Sequence, residues 1–266
     1  MISLNLTGAP NARDLGGIVT ALGTVKHGKL VRSGELSRLS PDDVEVLQRL
    51  PLARVVDLRT DTEKDLSPDV VIPNVRYESV SIIRATTFGI TYEKSSGAEI
   101  AEMLKAGFAR MQQRNETYAM HMEILYRKFV NDEHSRKGYG QFLKLLANEP
   151  TDGATLWHCT MGKDRVGTCT ALLLHCLGAT EEQIFEDYLL TNELTKANRE
   201  FILNKVRGFV SEESLKMVEN MLLANRRYLE NFYEEIRCQF GTVDGFIEAC
   251  GVNKSEIDAL QKIYLA

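Results

Sequence analysis

His158-Cys159-Thr160-Met161-Gly162-Lys163-Asp164-Arg165-Val166-Gly167 is the stretch whose reading decides the fold. A short apolar run, Ala154 to Trp157, leads into it, and an apolar segment, Val166 to Leu177, leads out. That order predicts strand, tight loop and helix. A helix start has unpaired N–H groups and partial positive charge, so a loop wrapped over it forms a cup for an anion. Gly162 lets the backbone turn closely. Cys159 and Arg165 both lie in this loop, with five residues between them. A thiol beside a helix N-terminus and a cation loses its proton readily, which makes Cys159 the expected nucleophile. Arg165 offers a planar fork that matches two oxygens of a phosphoryl group. The expected ligand is therefore a phosphate ester, held by Thr160, Met161, Gly162, Lys163 and Val166 as well as by the fork. The alternative is a buried structural cysteine, against which stands the charged Lys-Asp-Arg triplet beside it.

Working outward, Leu52 to Leu58 is apolar enough for a buried central strand whose carboxyl end presents Asp57 and Arg59. Ligands of open α/β sheets gather at such ends, so Asp57 is a candidate to orient Arg165 or donate a proton; an ordinary strand-end turn residue is the other reading. Thr60 to Pro73 reads as a polar loop and Val75 to Val80 as another strand. Between Asn5 and Leu39, short β-like runs (Ile18–Thr20, Thr24–Lys26, Leu30–Ser33) alternate with glycines and predict small strands at a sheet edge. Arg13 and Asp14 fall in a loop there, just before Gly16-Gly17, where a surface ion pair is the plain reading. Ser40-Pro41 starts a helix that runs to about Leu50.

From Ser95 to Asn131 the pattern becomes helical: Ile100, Met103, Leu104, Phe108 and Met111 recur at helical spacing, and so do Tyr118, Met122, Leu125, Tyr126 and Phe129. This Met-rich pair is either core or a cover over the site. Tyr139 to Leu146 predicts a short helix. Beyond Gly178 the chain is nearly all helical: Glu182–Asn192, Lys196–Arg207, Glu212–Phe240, Val243–Cys250 and Lys254–Leu265. The predicted architecture is α/β: a central, twisted, mostly parallel sheet flanked by helices, with a helical insertion at about 95–148 and a helical C-terminal part at about 180–266, all within a single domain spanning 1–266.

The chain has 266 residues, 44% of them hydrophobic and 26% charged, the composition of a globular protein with a sizeable core. A net charge of −5 argues against nucleic-acid partners. No apolar run approaches membrane-spanning length, and no signal-peptide layout opens the chain. Five cysteines without paired or zinc-type spacing fit a reducing compartment, so the expected location is the cytoplasm, with export by a route that needs no signal peptide left open. His121 and His134 lack metal-ligand spacing. No metal or cofactor is expected, because the cup itself supplies charge stabilisation. Oligomeric state is not readable.

At these residues the chain resembles the cysteine-dependent protein tyrosine phosphatases, and within them a bacterial branch with the signature HCxxGKDR. Asn11-Ala12-Arg13-Asp14-Leu15-Gly16-Gly17, Arg32-Ser33-Gly34-Glu35-Leu36 and Val55-Val56-Asp57-Leu58-Arg59 look similar too, so the likeness runs from near Asn11 to about Asn192. It implies a cysteine-phosphatase-like fold, and phosphorylated protein substrates carrying phosphotyrosine, in some members phosphoserine or phosphothreonine, or else phosphoinositides. It places the loop of Arg13 and Asp14 beside the phosphate cup, as supports of the site, and it implies an acid within the cysteine loop, favouring Asp164. A bound phosphate dianion beside Asp164 would favour its protonated, donating form. Asp57, or Asp61 in the next loop, is the runner-up. Lys163 is expected to bring positive charge to the rim, where the family associates it with phosphoinositide acceptance; a solvent-facing lysine is the other reading. His158 is expected to order the loop through hydrogen bonds. One position departs from the pattern: many members carry Ser or Thr after the arginine, and here it is Val166, so hydrolysis of a phosphoenzyme is expected to be slow. Two other classes stay open, a catalytically weak phosphate-binding module and a cysteine enzyme of another reaction type such as sulfur transfer.

Overall fold

Short apolar runs bounded by turn residues become strands, and longer periodic ones become helices. In the computed structural model, which describes residues 2–85 and 97–266, the strands are β1 (Ile2–Ser3), β2 (Arg13–Asp14), β3 (Val19–Thr20), β4 (Gly23–Thr24), β5 (Leu30–Ser33), β6 (Leu52–Asp57), β7 (Arg76–Ser79) and β8 (Ala154–His158). The helices are α1 (Pro41–Arg49), α2 (Asp61–Leu66), α3 (Gly97–Gln113), α4 (Tyr118–Asn131), α5 (Glu133–Asn148), α6 (Asp164–Cys176), α7 (Glu181–Leu194), α8 (Lys196–Val206), α9 (Glu212–Leu222), α10 (Arg226–Phe240), α11 (Val243–Ala249) and α12 (Lys254–Tyr264).

The main sheet runs β1-β2-β5-β8-β6-β7. β5, β8, β6 and β7 are parallel, and β1 and β2 close one edge antiparallel. The chain is thus α/β with a mostly parallel central sheet. Alternate residues of the inner strands enter two separate cores: Val31, Val55 and Leu156 pack with Leu47 of α1, whereas Leu30, Val56 and Trp157 pack on the side of α4–α7 and α10. Burial on both faces explains why these strands read as continuous apolar runs. Their carboxyl ends converge where β8 meets the loop before α6. Among the described residues no helix is long and apolar enough to cross a membrane.

Several boundaries differ from the sequence expectation. Leu30–Ser33 is an interior strand, because β2 pairs on its outer side. Arg13 and Asp14 form that strand and are buried, so they are neither loop nor surface. Residues 60–73 contain α2, started by a reciprocal capping box between Thr60 and Glu63. The stretch 212–240 is two helices, since Asn225 caps α10 and breaks the run after Leu222. The helix predicted from Tyr139 to Leu146 extends over α5. The start of the helical insertion, from Ser95, lies outside the described residues. Its amphipathic stripe is core: Ile100, Leu104, Met111, Tyr118, Met122, Leu125, Tyr126 and Phe129 are buried, while Met103 stays 41% exposed.

Candidate active site

The loop after β8 closes tightly because Gly162 adopts φ +65°, and a Cβ there would fall 2.4 Å from the Ser33 carbonyl oxygen. Lys163 precedes α6 with no side-chain cap, unlike the starts of α1, α2, α4 and α7, where a Ser or Thr hydroxyl accepts the first N–H groups. The first amides of α6 therefore keep their capacity to bind an anion. Cys159 is 2% exposed and Arg165 fully buried. A cavity of about 90 Å³ beside the loop is lined by Thr160 and Met161 with Glu35, Arg38, Ile100 and Lys205.

Arg165 is held from α2. Nη1 donates to Glu63 Oε2 at 2.6 Å and Nη2 to Glu63 Oε1 at 2.8 Å, and Nη2 also reaches Thr160 Oγ1 at 3.2 Å. Thr160 in turn donates to Glu63 Oε1 at 2.7 Å. Burial works against the Glu63 carboxylate, but Arg165 and the donors around it outweigh burial and bring its pKa from 4.5 to about 2. Burial also works against the guanidinium, yet the Cys159 sulfur and Glu63 raise its pKa on balance. The end-on fork is thus taken by Glu63, and the buried Nε–H of Arg165 has no hydrogen-bond partner among the described residues. Glu63 is the residue that sequence reasoning missed. Its signal was present, since Thr60-x-x-Glu63 is a capping-box pattern inside the stretch read as loop.

Asp57 does not orient Arg165. It pairs with Arg59, whose Nε donates to Asp57 Oδ1 at 3.0 Å and whose Nη2 lies 2.8 Å from Asp57 Oδ2 and 2.9 Å from Asp69 Oδ1. His158 joins this group beneath the loop, with Nε2 3.0 Å from Asp69 Oδ2 and 3.9 Å from Asp57 Oδ1. Burial lowers its pKa, but the two carboxylates prevail and the net shift is upward. Asp57, Asp69 and His158 bring three metal-ligand-type atoms within 4.8 Å of one another. Arg59 already supplies the positive charge between the carboxylates, so the donor set does not fit a metal ion. Asp61 opens α2 on its exposed side and pairs with Lys64.

Behind the loop lies a second arginine cluster. Arg13 Nε donates to Asp187 Oδ1 at 2.8 Å, Arg32 Nη1 pairs with Asp187 Oδ2, and Arg32 Nη2 donates to the Gly162 carbonyl at 2.8 Å. Asn11 Nδ2 donates to the same carbonyl at 2.7 Å. Arg13 therefore braces the loop through its neighbours. Asp14 serves a turn elsewhere, accepting from the Gly16 and Gly28 amides.

Lys163 is not at a solvent-facing rim. It is buried, and Nζ donates to the Met221 carbonyl at 2.5 Å and the Leu223 carbonyl at 3.4 Å, capping the end of α9, with Asp164 Oδ1 3.5 Å away. Asp164 Oδ1 also accepts from the Tyr126 hydroxyl at 2.8 Å. Val166 is wholly buried in the core, and the Thr168 hydroxyl is occupied by the Asp164 and Arg165 carbonyls and the Tyr139 hydroxyl. Among the other cysteines, burial pushes Cys169 well above the ordinary thiol range and Cys176 to about 12, as packing residues.

A family model described as the tyrosine phosphatase family matches residues 4–266. The chain is 28% identical over 254 residues to a protein of Cupriavidus necator named as a tyrosine-protein phosphatase, covering 94% of this chain and 83% of that one. It is 24% identical over 289 residues to the triple specificity protein phosphatase PtpB of Mycobacterium tuberculosis, covering 98% of each. A tyrosine-protein phosphatase of Nostoc commune is 24% identical over 238 residues, covering 87% of this chain and 72% of that one.

Proposed function

The chain belongs to the tyrosine phosphatase family, and on that premise we propose that it hydrolyses phosphomonoesters through a phosphoryl group carried on Cys159, with phosphotyrosine in proteins as its main substrate. The observation that carries this reading is the buried Nε–H of Arg165, unpaired among the described residues and held beside Cys159 by Glu63 at the uncapped start of α6. An unpaired buried donor is costly, and a phosphate oxygen would satisfy it.

In the first step the Cys159 sulfur attacks phosphorus, the S–P bond forms and the ester P–O bond breaks. Asp164 gives its proton to the leaving oxygen. In the second step water attacks phosphorus, Asp164 takes the water's proton, and the sulfur leaves as thiolate while phosphate departs. The amides of residues 160–165 and the Arg165 guanidinium meet the equatorial oxygens. The site residues thus take these roles: Cys159, Arg165 and Asp164 in the chemistry, Thr160 to Lys163 in binding, and Glu63, His158, Asn11 and Arg13 in support. No cofactor enters the scheme.

Activity on phosphoserine, phosphothreonine and phosphoinositides is a further part of the proposal, supported by the likeness to a phosphatase named for triple specificity. We take residues 1–266 as one phosphatase domain, because α7 contributes Asp187 and α9 receives Lys163. The free state of all five cysteines supports a cytoplasmic location.

A second reading, a phosphate-binding module with little turnover, is motivated by Val166 and by the engagement of Thr168 away from the sulfur. One experiment separates the two. Time courses on a phosphotyrosine peptide, a phosphoserine peptide and a phosphoinositide are compared with Cys159→Ser as control. Sustained phosphate release, fastest on phosphotyrosine and abolished by Cys159→Ser, is the expected result. A single burst without turnover supports the binding module, and release that survives Cys159→Ser ends the cysteinyl mechanism.

A further inference from the structure

Tyr126 sits in the apolar stripe of α4, where a phenylalanine would fill the same space. Its ring packs 5.4 Å from Phe129 and 5.8 Å from Tyr228, centroid to centroid, and the side chain is fully buried. Burying a phenol with no partner for its hydroxyl is unfavourable, so the hydroxyl calls for an explanation. It lies 2.8 Å from Asp164 Oδ1 and 2.7 Å from the Tyr188 hydroxyl. These three groups come from three helices, α4, α6 and α7, and meet at the first residue of α6.

The direction of the chain follows from the hydrogens available. Tyr126 has one, which goes to the carboxyl oxygen, so Tyr188 donates to Tyr126. Both phenols have their pKa pushed well above 10, by burial first and then by the Asp164 charge, so both remain donors at any working pH. The Lys163 ammonium, 3.5 Å away, faces the same Oδ1. Asp164 Oδ2 has no hydrogen-bond partner among the described residues. A bond donated to Oδ1 is kept whether Oδ2 carries a proton or not.

We infer that Tyr126, backed by Tyr188, is a positioning residue for proton transfer: it fixes the Asp164 carboxyl through Oδ1 and assigns the mobile proton to Oδ2. This rests on Asp164 being the acid of the proposed reaction. Tyr126 touches no reacting atom itself. Its effect is on the orientation from which Oδ2 gives a proton to the leaving oxygen and later takes one from water.

The test is Tyr126→Phe, which removes one oxygen and keeps the ring. Two substrates are compared: phenyl phosphate, whose leaving group needs a proton, and 2,4-dinitrophenyl phosphate, whose leaving group does not. For phenyl phosphate kcat/KM is expected to fall about tenfold, the scale of one lost hydrogen bond, while that for 2,4-dinitrophenyl phosphate and the inhibition constant for inorganic phosphate stay unchanged. Tyr188→Phe should show the same pattern more weakly. The double variant Tyr126→Phe/Asp164→Asn should be no slower than Asp164→Asn alone. Equal loss on both substrates, no loss on either, or additive losses in the double variant would overturn the inference. Asp164→Asn tells this failure from that of its premise: if that variant slows both substrates equally, the acid assignment falls and the inference with it. If Asp164→Asn is selective and Tyr126→Phe is not, only the role of Tyr126 falls.

Discussion

Two arginine clusters flank the same loop, and they are built differently. In front, one guanidinium meets one carboxylate, Arg165 with Glu63, through two parallel hydrogen bonds. Behind, Arg13 and Arg32 share the single carboxylate of Asp187 and complete their bonding on neutral oxygens: the Asp187 and Asn11 carbonyls and Asn11 Oδ1 for Arg13, and the Gly162 carbonyl for Arg32. The front pair is charge-balanced and mutually reinforcing. The rear cluster carries surplus positive charge in a buried place, and burial together with Arg32 lowers the pKa of Arg13 to about 10 despite Asp187. Each cluster also leaves one buried Nε–H without a hydrogen-bond partner among the described residues, on Arg165 and on Arg32. The contrast separates two tasks: the balanced pair fixes the direction of the Arg165 guanidinium, while the overcharged cluster grips the back of the loop.

The largest effect should come from the rear. Asp187→Asn leaves two buried guanidiniums without a counter-charge, which should cost about 3–5 kcal/mol of stability in urea unfolding. Phosphate or vanadate should recover little of it, because Asp187 holds the two guanidiniums from behind the loop. A change in midpoint too small to measure would break the contrast.

Glu63→Gln is next. It also strands a buried guanidinium, but at the place where a phosphate oxyanion can re-pair it. A loss of about 3 kcal/mol is expected, with a larger share than in Asp187→Asn regained when vanadate is added. The pH dependence has a definite sign. The Glu63 pKa is depressed in the folded state, so its contribution is present above the unfolded value of 4.5 and is lost as pH falls towards about 2. A shift of that size corresponds to about 3 kcal/mol, and Glu63→Gln should flatten this part of the acid-unfolding curve. An unchanged acid limb would show that Arg165 does not depend on Glu63.

Much of this arrangement was legible in the sequence, for physical reasons. The strand, loop and helix around Cys159 follow from two apolar runs interrupted by Gly162 and a charged triplet, all local features. The inner strands β6 and β8 announced themselves as apolar runs because both faces are buried. The partners of the arginines were not legible in the same way. Asp187 lies on α7, 174 residues from Arg13, and nothing local marks it as a counter-ion. Glu63 carried a local mark, its capping box, but the same carboxylate serves the helix start and Arg165 together, and the pattern announces only the first. Tyr126 fitted the apolar periodicity of α4, which correctly placed its ring and said nothing of its hydroxyl. Lys163 shows the converse, a charged residue expected in solvent whose ammonium instead closes the carbonyl end of a distant helix.

That lysine gives the smallest expected effect, and it sharpens the contrast by belonging to neither cluster. Its ammonium is buried against the Met221 and Leu223 carbonyls and near Asp164, without a carboxylate of its own at salt-bridge contact as close as those of Arg165 or Arg13. Lys163→Met keeps a similar volume and removes the buried charge along with the donor. The cost of losing the carbonyl contacts and the gain from no longer burying an ammonium oppose each other, so a net change of about 1 kcal/mol or less is expected. The local consequence should be clearer than the global one. Amide exchange at the last turn of α9 should quicken, because the Lys163 tether to the helix end is gone, whereas Ala224, clamped by Asn192 at both its amide and its carbonyl, should keep its protection. A loss as large as that of Glu63→Gln would mean that the lysine is a fourth structural cation of the loop, and that the division between a balanced front and an overcharged rear is too simple.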